Sequence, residues 1–276
     1  MDLVAFNPTM ILFLPFAVVT FFSLVRYFAF SGGFYLIFWV LGRERFAKSR
    51  IMSKWPSRDD IRREMLHSIK TAAVFGMMAS LAELGAYFGV IKLYRSVEDH
   101  GLPYFISSIV FMIITHDAYF YWTHRVMHHP KLFKSFHGVH HLSRNPTPFA
   151  SYAFNWREAA IHAVYVPLIL LVVPLHPFAI ALWLLWMMLF NALGHLGHEI
   201  FPRGYTKIFL TNTVTHHQLH HQKINFNFGL YFPWWDMLMG TEYPDYHEEF
   251  DGHWSERLAA ASRTASAQNP MDDPET

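Results

Sequence analysis

The sequence predicts an all-α integral membrane protein: about four transmembrane helices and a cytoplasmic helical cap that carries a histidine-rich site for two metal ions. Three observations lead there. Apolar residues make up 53% of the 276 and charged residues only 16%, whereas a soluble domain carries about a quarter charged residues. Long apolar stretches recur at 9–41, 69–93, 103–122 and 160–194. Finally, 13 of the 19 histidines fall in just two windows, 116–141 and 195–221.

Composition also excludes several classes. A formal charge of +1 argues against a nucleic-acid partner, which calls for a basic face. The absence of cysteine removes disulfide frameworks, thiolate zinc sites and iron–sulfur clusters.

Along the chain, 9–41 is interrupted only by Arg26 and a few small or polar groups. No small-residue cleavage site follows a short apolar core, so the stretch reads as an anchor. A crossing takes about 20 apolar residues, which leaves room for one long tilted helix, or one span and an interfacial turn. Residues 43–63 hold eight Lys/Arg against three Asp/Glu, a cytoplasmic loop by the positive-inside rule. Segments 69–93 and 103–122 form a hairpin turning near Glu98–Gly101. Segments 160–175 and 177–194 form a second around Pro174 and Pro177, its first limb short for a full crossing. Both hairpins return the chain to one side, so both histidine windows share a membrane face. We divide the chain into anchor helices and basic loop (1–108), a catalytic region (109–254) and a disordered polar tail (255–276).

The histidines carry helical spacing. His124 and His128 are four apart; His137, His140 and His141 are offset by zero, three and four, and His217, His220 and His221 repeat that pattern. Such offsets share one face of a helix. His195 and His198 are three apart. His216 precedes its stripe by about 100° and is expected to face away. His116 and His129 fit a ligand role and a structural one about equally; His67, His162 and His176 read as ordinary core histidines. Neutral imidazole is the commonest metal ligand, and four such elements converging would supply two metals with positions left open. Asp117, Glu158, Asn191, Glu199 and Asp236 are candidates to orient the rings through their second nitrogen. A membrane metal transporter or metal-binding protein without redox catalysis is the alternative, but it would place ligands at the bilayer midplane. Here they fall just past the ends of spans.

At these residues the chain resembles the fatty acid hydroxylase/sterol desaturase superfamily of membrane di-iron proteins. The matching signatures are Asp117…Tyr121-Trp122-x-His124-Arg125-x-x-His128-His129, then Phe136-His137-x-x-His140-His141, then His217-x-x-His220-His221…Asn225-Phe226-x-Phe228-Gly229…Trp235-Asp236…Gly240-Thr241. The stretch Pro146–Phe154 is similar to the sterol C5-desaturase branch. The resemblance implies an oxidoreductase with two irons (zinc can replace them in purified protein), consuming O2 and two electrons per turnover. It implies ligand roles for His124, His128 or His129, His137, His140, His141, His195, His198, His217, His220 and His221. The family's spacing varies in the third window, which singles out His198 as a departure. A lipid or sterol substrate, C5-type desaturation or C–H hydroxylation, and a cytosol-facing site in the endoplasmic reticulum or a bacterial inner membrane follow from the same resemblance. So does a separate electron donor such as cytochrome b5, or ferredoxin with its reductase, since no fused haem segment is visible.

Overall fold

The computed structural model describes residues 9–255, so the expected tail beyond Ser255 lies outside the described residues. Eight helices organise the chain, and no strand is present among the described residues: α1 Thr9–Leu41, α2 Arg58–Tyr87, α3 Leu102–Met127, α4 Pro130–Phe136, α5 Trp156–Val172, α6 Pro177–Gly194, α7 Val214–Lys223 and α8 Trp234–Met239. A further helical segment covers 246–255. Of these, α1, α2, α3 and α6 are long and apolar enough to cross a membrane. This is an integral membrane protein.

The first apolar stretch is one continuous helix of 33 residues. Phe21, Phe22, Val25 and Phe28 are exposed on one face, while Ser23, Tyr27 and Ser31, spaced four apart, are buried on the other. That face packs along α2, where Gly76 lets the two backbones approach: a Cβ there would collide with Thr20 Oγ1 and lie 2.6 Å from the Phe16 carbonyl. Without a hydrophobic drive between helices in lipid, small residues of this kind set the contact. The Ser80 hydroxyl adds a 2.6 Å bond to the Leu12 carbonyl.

α2 starts earlier than its hydropathy predicts. Ser57 and Asp60 form a capping box, each satisfying a backbone N–H of the other, so residues 58–63 of the basic loop belong to the helix. The basic segment that remains, 43–57, sits at the histidine end of the bundle: Ile51 N–H donates to the Gly197 carbonyl (3.0 Å) and Glu199 N–H to that of Ser49 (2.7 Å). At the other end, Lys92 and Tyr94 pair with Leu170 and Leu175.

Between the same two ends runs α5, which with 17 residues is shorter than the other limbs because the chain before it is inside the protein. The segment Thr147–Phe154 is buried throughout. Its Phe149 carbonyl accepts from both Tyr27 Oη and Ser68 Oγ at 2.9 Å, Ser151 pairs with Ser31 (2.8 Å), and the Thr147 hydroxyl donates to Glu64 (2.5 Å). Irregular backbone at membrane depth is tolerated only where protein surrounds it, and this plug wedged between α1 and α2 meets that condition.

Candidate metal centre

Nine buried imidazoles gather at the end of the bundle in two groups. His124, His128, His137, His141 and His220 form one; His140, His195, His217 and His221 form the other. Within each, the ring nitrogens that face inward lie within 4.8 Å of one another.

Four elements deliver them. His124 sits in the last turn of α3, and His128 continues it as the C-cap. α4 ends at Phe136, and 137–142 follow as a turn and a short 3₁₀ segment, so the expected single helical stripe does not form there. The triplet is split: His137 and His141 enter the first group and His140 the second. On α7, which is a regular helix, the edge falls between the groups, with His217 and His221 in the second and His220 in the first. Spacing of zero, three and four therefore marks residues shared between two sites.

The inward nitrogens are Nε2. His124 and His137 approach at 2.9 Å, His128 and His141 at 3.2 Å, and His141 and His220 at 3.1 Å. In the second group, His195 Nε2 faces His217 at 3.0 Å, His140 at 3.2 Å and His221 at 3.3 Å. The outward nitrogens fix what the inward ones can be. His124 Nδ1 donates to the Phe228 carbonyl (2.8 Å), His220 Nδ1 to that of Phe226 (2.7 Å) and His195 Nδ1 to that of Asn191 (2.7 Å). His137 Nδ1 meets the Glu158 carboxylate at 2.6 Å. A carbonyl only accepts, so His124, His220 and His195 each carry a proton on Nδ1 and a lone pair on Nε2. Several lone pairs thus converge at separations where hydrogen bonds cannot join them all. A cation among them resolves the conflict, and this donor set fits one in each group.

Charge agrees. Burial, with the neighbouring rings adding to it, pushes His137, His140, His217, His220 and His221 well below the usual imidazole range, so the site offers neutral donors at physiological pH.

Two expected residues stand outside both groups. His129 is exposed and caps α4, accepting from Lys131 N–H at 3.3 Å; the helix has already ended, and its ring turns outward. His198 is buried elsewhere. Its Nδ1 contacts Ser49 Oγ (2.9 Å) and the Phe46 carbonyl (3.2 Å), and its ring packs on Trp39. α6 stops at Gly194, and Gly197 at φ +72° turns the chain, so the spacing of three does not place His198 beside His195. His216 faces away from the groups, its Nε2 3.5 Å from Asp236 and its ring against Tyr246.

Of the five orienting candidates, only Glu158 reaches a clustered ring with its side chain; Asn191 does so through its carbonyl. Asp117 accepts from the N–H groups of Tyr231 and Phe232, and Glu199 from those of Phe201 and Thr215. Asp236 accepts from Phe228 and Gly229 N–H (2.8 and 2.7 Å). It thereby holds the loop whose carbonyls orient His124 and His220. Although burial opposes it, the His216 contact and these donors keep its carboxyl below the usual range. The carbonyls of Phe226 and Phe228 escape sequence reading because any residue supplies one.

Beside the groups lies an apolar cavity of about 180 Å³, walled by α1, α2, α5 and α6 and reaching His116, Phe120 and Phe154. The Phe120 and Phe154 rings lie 5.1 and 5.4 Å from those of His124 and His140.

Comparison with known proteins accords with this geometry. Residues 109–241 match the fatty acid hydroxylase family. A Delta(7)-sterol 5(6)-desaturase of Aspergillus fumigatus is 30% identical over 203 residues, 66% of this chain and 63% of that protein. The human lathosterol oxidase is 26% identical over 186 residues, 67% and 62% of the two chains. A Delta(7)-sterol 5(6)-desaturase of Schizosaccharomyces pombe is 29% identical over 158 residues, 57% and 50%. The chain thus spans between half and two thirds of the length of these relatives. No solved structure matches it.

Proposed function

As the chain belongs, through residues 109–241, to the fatty acid hydroxylase family, we propose that it is a membrane oxidoreductase acting on a C–H bond of a lipid. Its reaction is C5-type sterol desaturation, the activity in the names of the two fungal relatives, with lipid hydroxylation the neighbouring outcome. Two irons are held by His124, His128, His137, His141 and His220, and by His140, His195, His217 and His221. The observation that carries this reading is the convergence of Nε2 lone pairs in two adjoining groups. Bound iron supplies the capacity to activate O2 with electrons from a separate donor. The chain's own residues do the rest. The Phe226, Phe228 and Asn191 carbonyls and Glu158 lock ring orientation. Phe120 and Phe154 bring hydrocarbon up to the rings while excluding water. The relatives are enzymes by name, which leaves the transporter reading without support.

Lipid mass spectrometry of cells with and without the protein tests the function. The expected product is lighter than its precursor by two hydrogens. A gain of one oxygen atom would reassign the reaction to hydroxylation, and an unchanged lipid profile would overturn both.

We place the site on the cytoplasmic side, because the basic segment 43–57 shares its end of the bundle and Lys/Arg-rich loops stay inside. Accessibility tags near Trp55 and after residue 270 are expected to report the cytoplasm, and one near His100 the opposite side. A tag at Trp55 found outside would reverse the orientation.

A further inference from the structure

The lining of the cavity beside the histidine groups includes polar atoms without a hydrogen-bond partner, such as His162 Nδ1, and one arginine. α1 carries a single charge, Arg26, midway along its 33 residues. It is partly buried, whereas Phe22 and Val25 beside it are exposed. With Val19 and Ser23, its neighbours at seven and three residues, it lines the cavity wall. Its Nη2 makes one long bond, 3.4 Å, to Ser23 Oγ. Its Nε is buried without a hydrogen-bond partner, and among the described residues no carboxylate forms an ion pair with it. A guanidinium presents five donors in a planar fork, and ionisable groups inside a membrane protein are costly and normally face a partner. Elsewhere in the lining, Phe75, Met78 and Ile180 offer none, and no hydrogen bond joins Arg26 to Tyr152, His162 or Asn191.

We propose that Arg26, with Ser23, is the recognition site for the oxygen-bearing end of the lipid substrate, a hydroxyl or carboxylate oxygen accepting from the guanidinium. The inference rests on the lipid-oxidising reading above and deepens it. With the oxygen held at the α1 wall, the hydrocarbon lies along the cavity lined by Phe120 and Phe154. Arg26 is therefore a substrate-binding residue, one that selects for the oxygen-bearing lipid.

The test is equilibrium binding to the full, metal-loaded chain in lipid nanodiscs, using two matched pairs. One pair is a Delta(7)-sterol and the same sterol hydrocarbon without its hydroxyl; the other is a long-chain fatty acid and its alkane. In the unmodified protein the oxygen-bearing member of at least one pair is expected to bind about 10-fold tighter or more, the scale of a hydrogen bond to a charged group. In Arg26→Met that preference should vanish, and in Arg26→Lys part of it should return, with metal content equal to the parent in both as the check on folding. A preference shown by the fatty acid pair alone would retire the sterol substrate and keep the anchor. A preference that persists undiminished in Arg26→Met, or no preference in the parent for either pair, overturns the anchor even where the sterol binds.

Discussion

Alanine in place of His195 or His220 is expected to lower the metal content of the purified chain from two ions towards one and to reduce turnover below detection. His195 is the hub of its group, its Nε2 facing three others within 3.3 Å. Removing it takes one of four donors and leaves the remaining lone pairs without their shared geometry. His220 closes the first group through His141 at 3.1 Å and is itself locked by the Phe226 carbonyl. Neither ring is replaceable by water at equal strength, because both are buried and held by a carbonyl at the outward nitrogen. Metal analysis by mass spectrometry and single-turnover product formation give the readout. Two tightly held ions and normal turnover in either variant would end the two-metal proposal.

A second contrast separates neighbours. His217→Ala should lose metal and activity, since its ring faces His195 and His221 at 3.0 and 3.2 Å. His216→Ala should keep both and lose only stability. Its partner Asp236 still accepts from Phe228 N–H, Gly229 N–H and Thr241 Oγ1, so the charge is not stranded. What is lost is the 3.5 Å approach to Asp236 and the packing of a fully buried ring on Tyr246. Thermal unfolding and metal content measured on both variants decide the matter. Equal loss of metal from the two would mean that the Asp236 contact, and not the ring positions on α7, holds the second group together.

Much of this architecture is legible in the sequence, for reasons that can be stated. Lipid-facing helices need uninterrupted apolar runs, so 9–41 and 177–194 announce themselves. Imidazoles that converge from helices recur at helical offsets, so the elements bearing His124, His137, His195 and His217 could be picked out. The sequence could not tell how the neighbours divide, because that depends on where each element lies between the two groups. His140 and His141 part company in a 3₁₀ turn just as His220 and His221 do on the regular helix α7, and His198 is carried off by the turn at Gly197. Hydropathy also hid the start of α2, since a capping box at Ser57 and Asp60 acts through backbone donors and is indifferent to the charge of residues 58–63.

The carbonyl oxygens that orient His124, His195 and His220 belong to Phe228, Asn191 and Phe226. Being main-chain atoms, they survive any exchange of side chain at those three positions that leaves the backbone path intact. The Asn191 carbonyl sits one helical turn before His195 at the end of α6, whereas those of Phe226 and Phe228 depend on the number of residues between α7 and Asp236 and on the left-handed turns at Ile224 and Asn227 (φ 61° and 60°). The ring orientation is therefore tolerant of drift in composition and intolerant of insertion or deletion. In this loop it is length, more than spelling, that a descendant must inherit.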